Sequence, residues 1–398
     1  MRCLLPSVCL VTMFSTGMVV AQTPVAYVYV AQSSPNNLTS PVSAYAAASN
    51  GKLTPINGSP FTTEGILIGT NGSQLITLSN GSDPQGDAAY DYVNSYKVGS
   101  NGAIEQQLSS IYTQSYSGAS CTYASGAELD HTGKYVYVPY CTNAVQTYKI
   151  ASSGDLTFQN STIYSDPDQT YGGLPKITGN NAFAYDQTAA ETPKPVFVFG
   201  AFARASNGTL EHIDNPTVTG PSLPENYVYT VEGSMTNDPT DHLVATLGLL
   251  KFTAPSTYTN EGCVLASFTS GSKGQLTSTN TYSKMPAVGC GEAIMLSPSG
   301  KYLAVNAGTS LQLFHFNGAS PITKFTDVVG TSGYFSAIAW DSDNHLYALN
   351  GVSGRLHVYT VTSTKVVEAS GSPYDVPYCG YDYGSPNCPQ SLVVSSNP

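Results

Sequence analysis

Charge is scarce in this sequence. Asp, Glu, Lys and Arg make up 10% of the 398 residues, and 26 Asp and Glu outnumber 15 Lys and Arg, which gives a net charge of -11. A chain this acidic lacks the cationic surface that neutralises a phosphate backbone. We therefore expect no nucleic-acid partner.

Metal and catalytic motifs are absent as well. The cysteines form no Cys-x-x-Cys pair with a matching second pair, and there is neither a Gly-x-Ser-x-Gly elbow nor a His-Glu-x-x-His motif. These patterns would point to zinc, a hydrolase nucleophile or a metalloprotease. We expect no metal and no cofactor. His131 and His345, in or beside turns, are expected to be exposed structural side chains, and Asp341–Asn344 is expected to be a plain turn.

No stretch beyond residue 21 is long and apolar enough to cross a bilayer. The first 21 residues follow the pattern of a signal peptide: Arg2 is basic, residues 4–20 are largely apolar, and Ala21 suits a small-residue cleavage site. An N-terminal membrane anchor is the alternative interpretation, which Pro6 and Gly17 disfavour because they interrupt a short stretch. The mature chain, 22–398, is expected to be exported to the periplasm or the medium, with no membrane span.

Glycine, proline and tyrosine are abundant, at 37, 25 and 28 residues. Hydrophobic residues at 41% exclude a disordered chain and supply enough apolar material for a large core. The mixture of Gly, Tyr, Thr, Ser and Val favours short strands joined by turns over helices. The sequence therefore predicts an all-β protein.

A repeated strand–turn–strand phrase runs through the chain. Residues 130–138 (DHTGKYVYV) and 297–305 (SPSGKYLAV) each place a turn before an aromatic and β-branched strand, and looser copies occupy 70–78 and 341–349. A second phrase follows each time, in which an alternating strand precedes a Gly turn and a short strand, as in 145–157. About four strands per unit is what a propeller blade requires.

Counting the units predicts one domain, a monomeric seven-bladed antiparallel β-propeller. Its blades are expected near 25–61, 64–112, 125–164, 173–218, 226–282, 291–329 and 335–376. The first unit lacks its innermost strand, because 25–30 already matches a second strand, and residues 391–394 supply a spare strand at the other end. Pairing of these segments would close the ring and remove an open edge.

The phrases at 42–61, 296–302 and 371–374 also carry a family resemblance. They read VSAY…GKLTPINGSPF, LSPSGKY and GSPY, and they resemble the bacterial exported seven-bladed propellers of the lactonase family. That family includes 6-phosphogluconolactonase-like proteins and overlaps with YVTN-type repeat proteins. The resemblance covers nearly the whole mature chain and implies the propeller fold. Because the shared residues belong to turns and strands, it says little about activity.

Enzymes of the lactonase family place His, Arg and Glu around the channel, commonly in His-Pro or Pro-Arg-His motifs and with Asn-Glu at the end of a second strand. None of these stands in the corresponding place here. Arg204 is expected at a turn away from the site, which leaves Arg355 as the guanidinium near it. A phosphorylated sugar lactone needs more cationic groups than this, so phosphogluconolactonase activity is not expected.

Strand order gives the propeller two faces. The loops before inner strands and between second and third strands share one face, the loop face, and tight turns such as Ser297–Gly300 lie on the other, the turn face. The six cysteines that map to the loop face are Cys121, Cys141, Cys263, Cys290, Cys379 and Cys388. An even number in an exported chain predicts disulfides. Because bridged Cα atoms lie within about 7 Å, the pairings 121–141, 263–290 and 379–388 are favoured among the possible connectivities.

Two candidate sites lie on the loop face. Tyrosines before inner strands would form an aromatic rim for a ligand, unless their rings pack over loop backbones between blades. Polar residues are expected to ring the channel mouth, where two carboxylates would act as acid and base or form a solvated acidic funnel. The predicted ligand-binding residues are Tyr123, Tyr334, Tyr378, Ser125, Ser336 and Arg355, and the predicted catalytic residues are Glu64 and Glu292.

The sequence therefore predicts an exported binding module that contacts a glycan, an envelope component or an extracellular protein through its Tyr-rich loop face. The alternative is a hydrolase of a small non-phosphorylated lactone, with Glu64 or Glu292 as the general base that activates water. A purely structural repeat protein, with no ligand, is the third possibility.

Overall fold

The structure is a computed structural model that describes part of the chain. The described residues are 23–32, 39–82, 89–113, 126–140, 144–163, 169–172, 176–178, 180–190, 196–214, 216–254, 257–290, 293–307, 310–326, 329, 335–376 and 389–396. Within these ranges the chain forms 33 β-strands and one short 3-10 helix, Tyr282–Lys284. No helix in the described part is long and apolar enough to span a membrane.

The strands form seven sheets that follow one another along the chain, and nearly all neighbouring strands in them are antiparallel. Sheet one contains β1 (Ala26–Gln32), β2 (Ser40–Ala47), β3 (Leu53–Pro55) and β4 (Phe61–Thr63). Sheet two contains β5 (Ile66–Thr70), β6 (Gln74–Ser82), β7 (Ala89–Val98) and β8 (Ile104–Tyr112). Sheet three contains β9 (Glu128–Leu129), β10 (Tyr135–Tyr140), β11 (Ala144–Ile150) and β12 (Leu156–Ile163).

Sheet five, with six strands, is the largest, and sheet four precedes it in the chain. Sheet four contains β13 (Gln169–Gly172), β14 (Lys176–Ile177), β15 (Phe183–Ala190), β16 (Val196–Arg204) and β17 (Leu210–His212). Sheet five contains β18 (Val218–Thr219), β19 (Tyr227–Asn237), β20 (His242–Ala254), β21 (Thr257–Ser270), β22 (Leu276–Thr277) and β23 (Ala287–Val288).

The remaining strands complete sheets six and seven and return to sheet one. Sheet six contains β24 (Ala293–Leu296), β25 (Tyr302–Asn306), β26 (Leu311–His315) and β27 (Thr323–Lys324). Sheet seven contains β28 (Phe335–Trp340), β29 (His345–Asn350), β30 (Arg355–Val361), β31 (Val366–Glu368) and β32 (Tyr374–Asp375). The last strand, β33 (Pro389–Ser396), pairs antiparallel with β1, with Leu392 opposite Val30.

The tight turns between first and second strands are held by one side chain each. The Oδ1 atom of Asp130 accepts hydrogen bonds from the backbone N–H groups of Lys134 and Tyr135, both at 2.9 Å. Asp341 makes the same contact with the N–H of His345 at 2.8 Å. A short polar side chain that bonds its own backbone a few residues ahead fixes a turn. Asp341–Asn344 is therefore a turn, as expected.

His345 corrects one expectation. Its side chain is 1% exposed rather than solvent-facing, and its Nδ1 atom lies 2.7 Å from Oδ2 of Asp341. The same carboxylate oxygen accepts a hydrogen bond from the Tyr347 hydroxyl at 2.9 Å. A turn position in sequence does not reveal burial, because the outer Gly turn of the neighbouring sheet covers this ring: a Cβ on Gly51 would lie 3.3 Å from it.

A repeated hydrogen bond from a tyrosine hydroxyl, here called a tyrosine latch, joins neighbouring sheets. On second strands, the hydroxyls of Tyr29 and Tyr137 donate to the carbonyls of Gly102 and Gly208, at 2.9 and 2.8 Å. Each glycine lies in the outer turn of the next sheet. Gly208 has a φ of 83°, and a Cβ there would lie 2.2 Å from the Tyr135 ring. The turn therefore needs glycine both for its left-handed backbone and for space.

The hydrophobic core lies between adjacent sheets. Phe199 of sheet four and Phe268 of sheet five are both fully buried and meet edge to face, with ring centroids 5.1 Å apart. Val28 of sheet one packs in the same cluster as Val358 of sheet seven. Sheets that pack face to face around an axis, with almost no helix, form a propeller. The expectation of an all-β propeller is confirmed.

One of the three expected disulfides lies within the described residues, and it is confirmed. Cys263, in β21, is bonded to Cys290, with their Cα atoms 5.2 Å apart. A disulfide is consistent with an exported protein. Cys121, Cys141, Cys379 and Cys388 lie outside the described residues, as do the first 22 residues, so the other pairings and the signal peptide stay predictions.

Candidate functional site

Inner strands of six of the seven sheets surround one cavity of about 520 Å³. The strands that line it are β5, β9, β14, β24, β28 and β33. The turn residues Asn71 and His131 also line it, and both are exposed. The cavity is therefore the turn-face end of the central channel.

Strand register gives equivalent channel positions in successive sheets. Glu128 stands opposite Tyr137 and Lys176 opposite Tyr185 in their strand pairs. Ala339 stands opposite Tyr347 in sheet seven. Side chains at such matched positions of inner strands point to the same side of their sheets. Two adjacent sheets thus bring a carboxylate and an ammonium together in one layer of the channel wall.

Glu128 and Lys176 form an ion pair within this cavity. The Nζ atom of Lys176 lies 2.6 Å from Oε2 of Glu128, and the two side chains are 22% and 27% exposed. Partly buried charges of opposite sign stabilise one another when they are in hydrogen-bond contact. In the described part of the chain no other partner is recorded for either group. The second carboxylate oxygen and the remaining ammonium protons are therefore available to a molecule in the cavity.

Apolar side chains form another part of the lining, beside the polar turn residues. Met295 is 36% exposed although it lies on an inner strand, so its exposure is to the cavity. The indole N–H of Trp340 donates to the carbonyl of Met295 at 3.1 Å, which fixes the ring at the wall. Leu392 and Val394 of β33 complete this side. The cavity has one charged side and one apolar side.

The two arginines beyond residue 21 both form ion pairs, and neither lines this cavity. Arg204 donates to Oδ2 of Asp130 at 2.9 Å and to the Tyr137 hydroxyl at 2.9 Å, on the turn side as expected. Arg355 pairs with Asp375 at 2.6 Å on the outer edge of sheet seven. With both guanidinium groups in ion pairs, the described residues offer no arginine cluster for a phosphate.

Glu64, a predicted catalytic residue, lines a second cavity of about 440 Å³ between sheets one and two. Phe61 of β4 and Ile104 of β8 face the same space. The backbone of Glu64 is held in place, because its N–H donates a hydrogen bond to the Tyr96 hydroxyl at 2.8 Å. This site is distinct from the cavity that holds Glu128.

The other predicted site residues are not brought together within the described part. Ser336 is partly buried on β28, where its hydroxyl donates to the Leu349 carbonyl at 3.3 Å. Arg355, another predicted ligand-binding residue, is paired with Asp375. The predicted residues that lie outside the described ranges are Glu292, Ser125, Tyr123, Tyr334 and Tyr378. Among the described residues, no group of three metal-ligating side chains comes together.

An aromatic arm extends the loop face at sheet five. β20 and β21 continue past the sheet as a hairpin, with Phe252 opposite Tyr258. These two rings meet edge to face at 6.0 Å, and Tyr258 is 54% exposed. At the base of the arm, Tyr227 and Tyr282 lie 5.2 Å apart. Sequence reasoning did not separate this arm from the predicted blade at 226–282.

The arm also carries polar groups, and a disulfide lies where it joins the sheet. Lys251 places its ammonium 5.7 Å from the ring centroid of Tyr227, within cation–π range. Thr259 donates to a carboxylate oxygen of Glu261 at 2.8 Å on the exposed strand. The Cys263–Cys290 disulfide joins β21 to the segment that follows β23, where the arm leaves the sheet.

Comparison with known proteins identifies the fold class. No family model matches the sequence, and no curated protein matches it. Among solved structures, the chain is similar to a protein from Lactobacillus plantarum, with 14% identity, 93% of this chain and 98% of that chain covered, and a TM-score of 0.56. It is also similar to a protein from Bacteroides uniformis provisionally named 6-phosphogluconolactonase, with 11% identity, coverage of 93% and 99%, and a TM-score of 0.58.

A third similar structure carries the same provisional name and comes from Bacteroides fragilis, with 12% identity, coverage of 93% and 97%, and a TM-score of 0.54. At these identities the likeness concerns the fold. It agrees with the propeller assigned from the sheets.

Proposed function

We propose that this chain is an exported, distant relative of the lactonase-family propellers and acts as a glycan-binding module through its loop face. The seven sheets would be seven blades, and β33 would close the ring by its pairing with β1. The aromatic arm of sheet five is the observation that carries the functional part of the proposal.

The chemistry of the arm suits a carbohydrate. Sugar rings present flat apolar faces edged by hydroxyls, and exposed aromatic rings with polar neighbours match both features at a small cost in side-chain entropy. Tyr258 and Phe252 supply the rings, and Lys251, Asn260 and Glu261 supply exposed donors and acceptors beside them. The disulfide at the base would hold the arm in a binding-ready position.

A protein partner is a weaker match to the same surface. Protein-docking sites rest on contiguous apolar patches. The exposed large hydrophobic residues of the described part are Ile163, Tyr258, Met295 and Val367. They belong to four different sheets, so they form no common patch.

The test is retention of the purified protein on insoluble chitin, cellulose and peptidoglycan. We expect retention on at least one of them, and at least tenfold weaker retention for Tyr258→Ala. Ile163→Ala, which removes another exposed large hydrophobic side chain from a different sheet, is the matched control and should bind like the parent. Equal binding by Tyr258→Ala, or retention on none of the three polymers, would refute the proposal.

Lactone hydrolysis is the second candidate function, because two solved structures of the same fold carry a lactonase name and Glu64 lines a cavity large enough for a small lactone. Glu64 or Glu292 would then act as the general base that activates water. Proton release from a panel of sugar and aliphatic lactones tests it. Hydrolysis that disappears in the double variant Glu64→Gln/Glu292→Gln would favour this function, and hydrolysis unchanged in that variant would exclude these bases.

A further inference from the structure

We propose that the turn-face end of the central channel is a binding site for an α-amino acid with an apolar side chain. The site is the cavity of about 520 Å³ that contains the Glu128–Lys176 ion pair. It is separate from the aromatic arm, which projects from the loop face, so the two proposals stand or fall independently.

The charged side of the cavity matches the backbone of an amino acid. Lys176 offers ammonium protons and Glu128 offers a carboxylate oxygen, side by side on neighbouring inner strands. The ammonium of the ligand would bind Glu128 and its carboxylate would bind Lys176, so that each charge keeps an opposite charge at hydrogen-bond distance. The pair is neutral as a whole, which favours a zwitterion over a simple cation or anion.

The apolar side of the cavity matches the ligand side chain. Met295, Ile68 and Val394 are partly exposed apolar residues of its lining, and Met295 exposes a flexible thioether that adapts to different shapes. The indole ring is fixed by its hydrogen bond to the Met295 carbonyl. A volume of about 520 Å³ lies within the range of about 300–1,000 Å³ found for small-molecule sites.

Other ligand classes fit this cavity less well. A phosphate ester would meet one lysine that is already paired with the carboxylate of Glu128. Arg204 is already committed to Asp130 and contributes no free guanidinium. A free sugar would leave the exposed thioether of Met295 without an apolar partner. The zwitterion with an apolar body uses both sides.

The chain provides its own reporter for this site. Trp340 is the single tryptophan of the sequence, and it lines the cavity. Indole fluorescence, excited at the red edge of its absorption so that tyrosines do not contribute, therefore reports on the wall of this cavity, where the indole is hydrogen-bonded to Met295. L-phenylalanine and L-leucine do not absorb there and are suitable probes.

The experiment titrates the full protein with L-leucine and L-phenylalanine while Trp340 fluorescence is followed. We expect a saturable change with at least one of them. N-acetylation or amidation of the probe removes one of its charges, and each should weaken binding at least tenfold. An amino acid that binds no better than its N-acetyl derivative would overturn the assignment of Glu128.

Variants locate the binding. Glu128→Gln/Lys176→Met removes the pair without leaving one charge unmatched, and it should lower the affinity at least tenfold. Lys97→Met/Glu105→Gln is the matched control, because Lys97 and Glu105 form an ion pair of the same 2.6 Å length on the outer strands of sheet two. If the double variant binds like the parent, or if neither amino acid changes the fluorescence of the parent, the proposal is wrong. The thermal midpoint of each variant verifies that it is folded.

Discussion

Arg204 and Asp130 form an ion pair that joins sheets three and four. The distance from Nη2 to Oδ2 is 2.9 Å, and the two side chains are 8% and 0% exposed. The guanidinium also donates to the Tyr137 hydroxyl and stacks 5.0 Å above the Tyr135 ring. Asp130 in turn fixes its own tight turn through two backbone N–H groups. One carboxylate therefore sets both a turn and the contact between two sheets.

The first prediction concerns this pair. Arg204→Met leaves the buried Asp130 carboxylate without its counter-charge, and removing one partner of a buried pair costs about 3–5 kcal/mol. Arg355→Met is the control, because the Arg355–Asp375 pair is 45% and 83% exposed and an exposed pair contributes about 0–1 kcal/mol. Thermal midpoints should fall markedly for the first variant and hardly for the second. Equal shifts would contradict the structural role of Arg204.

The second prediction concerns the tyrosine latches. Tyr29→Phe and Tyr137→Phe keep the buried ring but remove the hydroxyl that donates to a glycine carbonyl of the next sheet. Each should lower the free energy of unfolding by about 1–3 kcal/mol, because a buried acceptor loses its partner. Tyr258→Phe removes an exposed hydroxyl and should have no effect. Chemical denaturation monitored by circular dichroism measures the differences.

These latches also show where sequence reasoning reached its limit. The sequence predicts a binding rim, or ring packing between blades, for the tyrosines before inner strands, and it predicts no role for the tyrosines on second strands. For Tyr29, Tyr137 and Tyr185, on second strands, the structure shows packing and hydrogen bonding to the next sheet. The alternation of the strands and the Gly turns were visible in the sequence. The contacts were not, because their partners lie 71 to 89 residues apart.

The candidate site could be predicted only in part from the sequence, for a similar reason. The repeat alignment was anchored on turns, and it directed attention to Glu64 and its counterparts well before each turn. Glu128 and Lys176 each lie two residues before the start of a turn, at equivalent positions, so the repeat contained the information. Their opposite charges become meaningful only when adjacent inner strands place them 2.6 Å apart.

The third prediction concerns the Cys263–Cys290 disulfide. Its cysteines are separated by 27 residues, and a loop of this size corresponds to a stabilisation of about 3–4 kcal/mol in the chain-entropy account. Cys263→Ser/Cys290→Ser should therefore melt at a lower temperature than the parent. Reducing agent should lower the parent's midpoint and leave that of the variant unchanged if no other bridge contributes to it. Peptide mapping without reduction should recover the 263–290 link, and a different partner for Cys263 would contradict the structure.

The fourth prediction concerns alkaline pH. Burial raises the pKa of Tyr96, Tyr137, Tyr185 and Tyr359 to about 12, and it raises the pKa of Tyr29 further in the same direction. In the unfolded chain these groups lose their protons near a pH of about 10. Below that pH both states are protonated and these hydroxyls favour neither. Above it the unfolded state loses protons first, so the stability of the fold falls as the pH rises from about 10 towards 12.

Phenolate absorbance during a pH titration measures this effect. The buried set should ionise only above a pH of about 10, together with the loss of the β-sheet circular dichroism signal. In denaturant the whole set should ionise in one step, because burial is the cause of the raised pKa values. A single step in the native protein would mean that the buried hydroxyls are accessible to solvent, and the latches between sheets would then not exist as described.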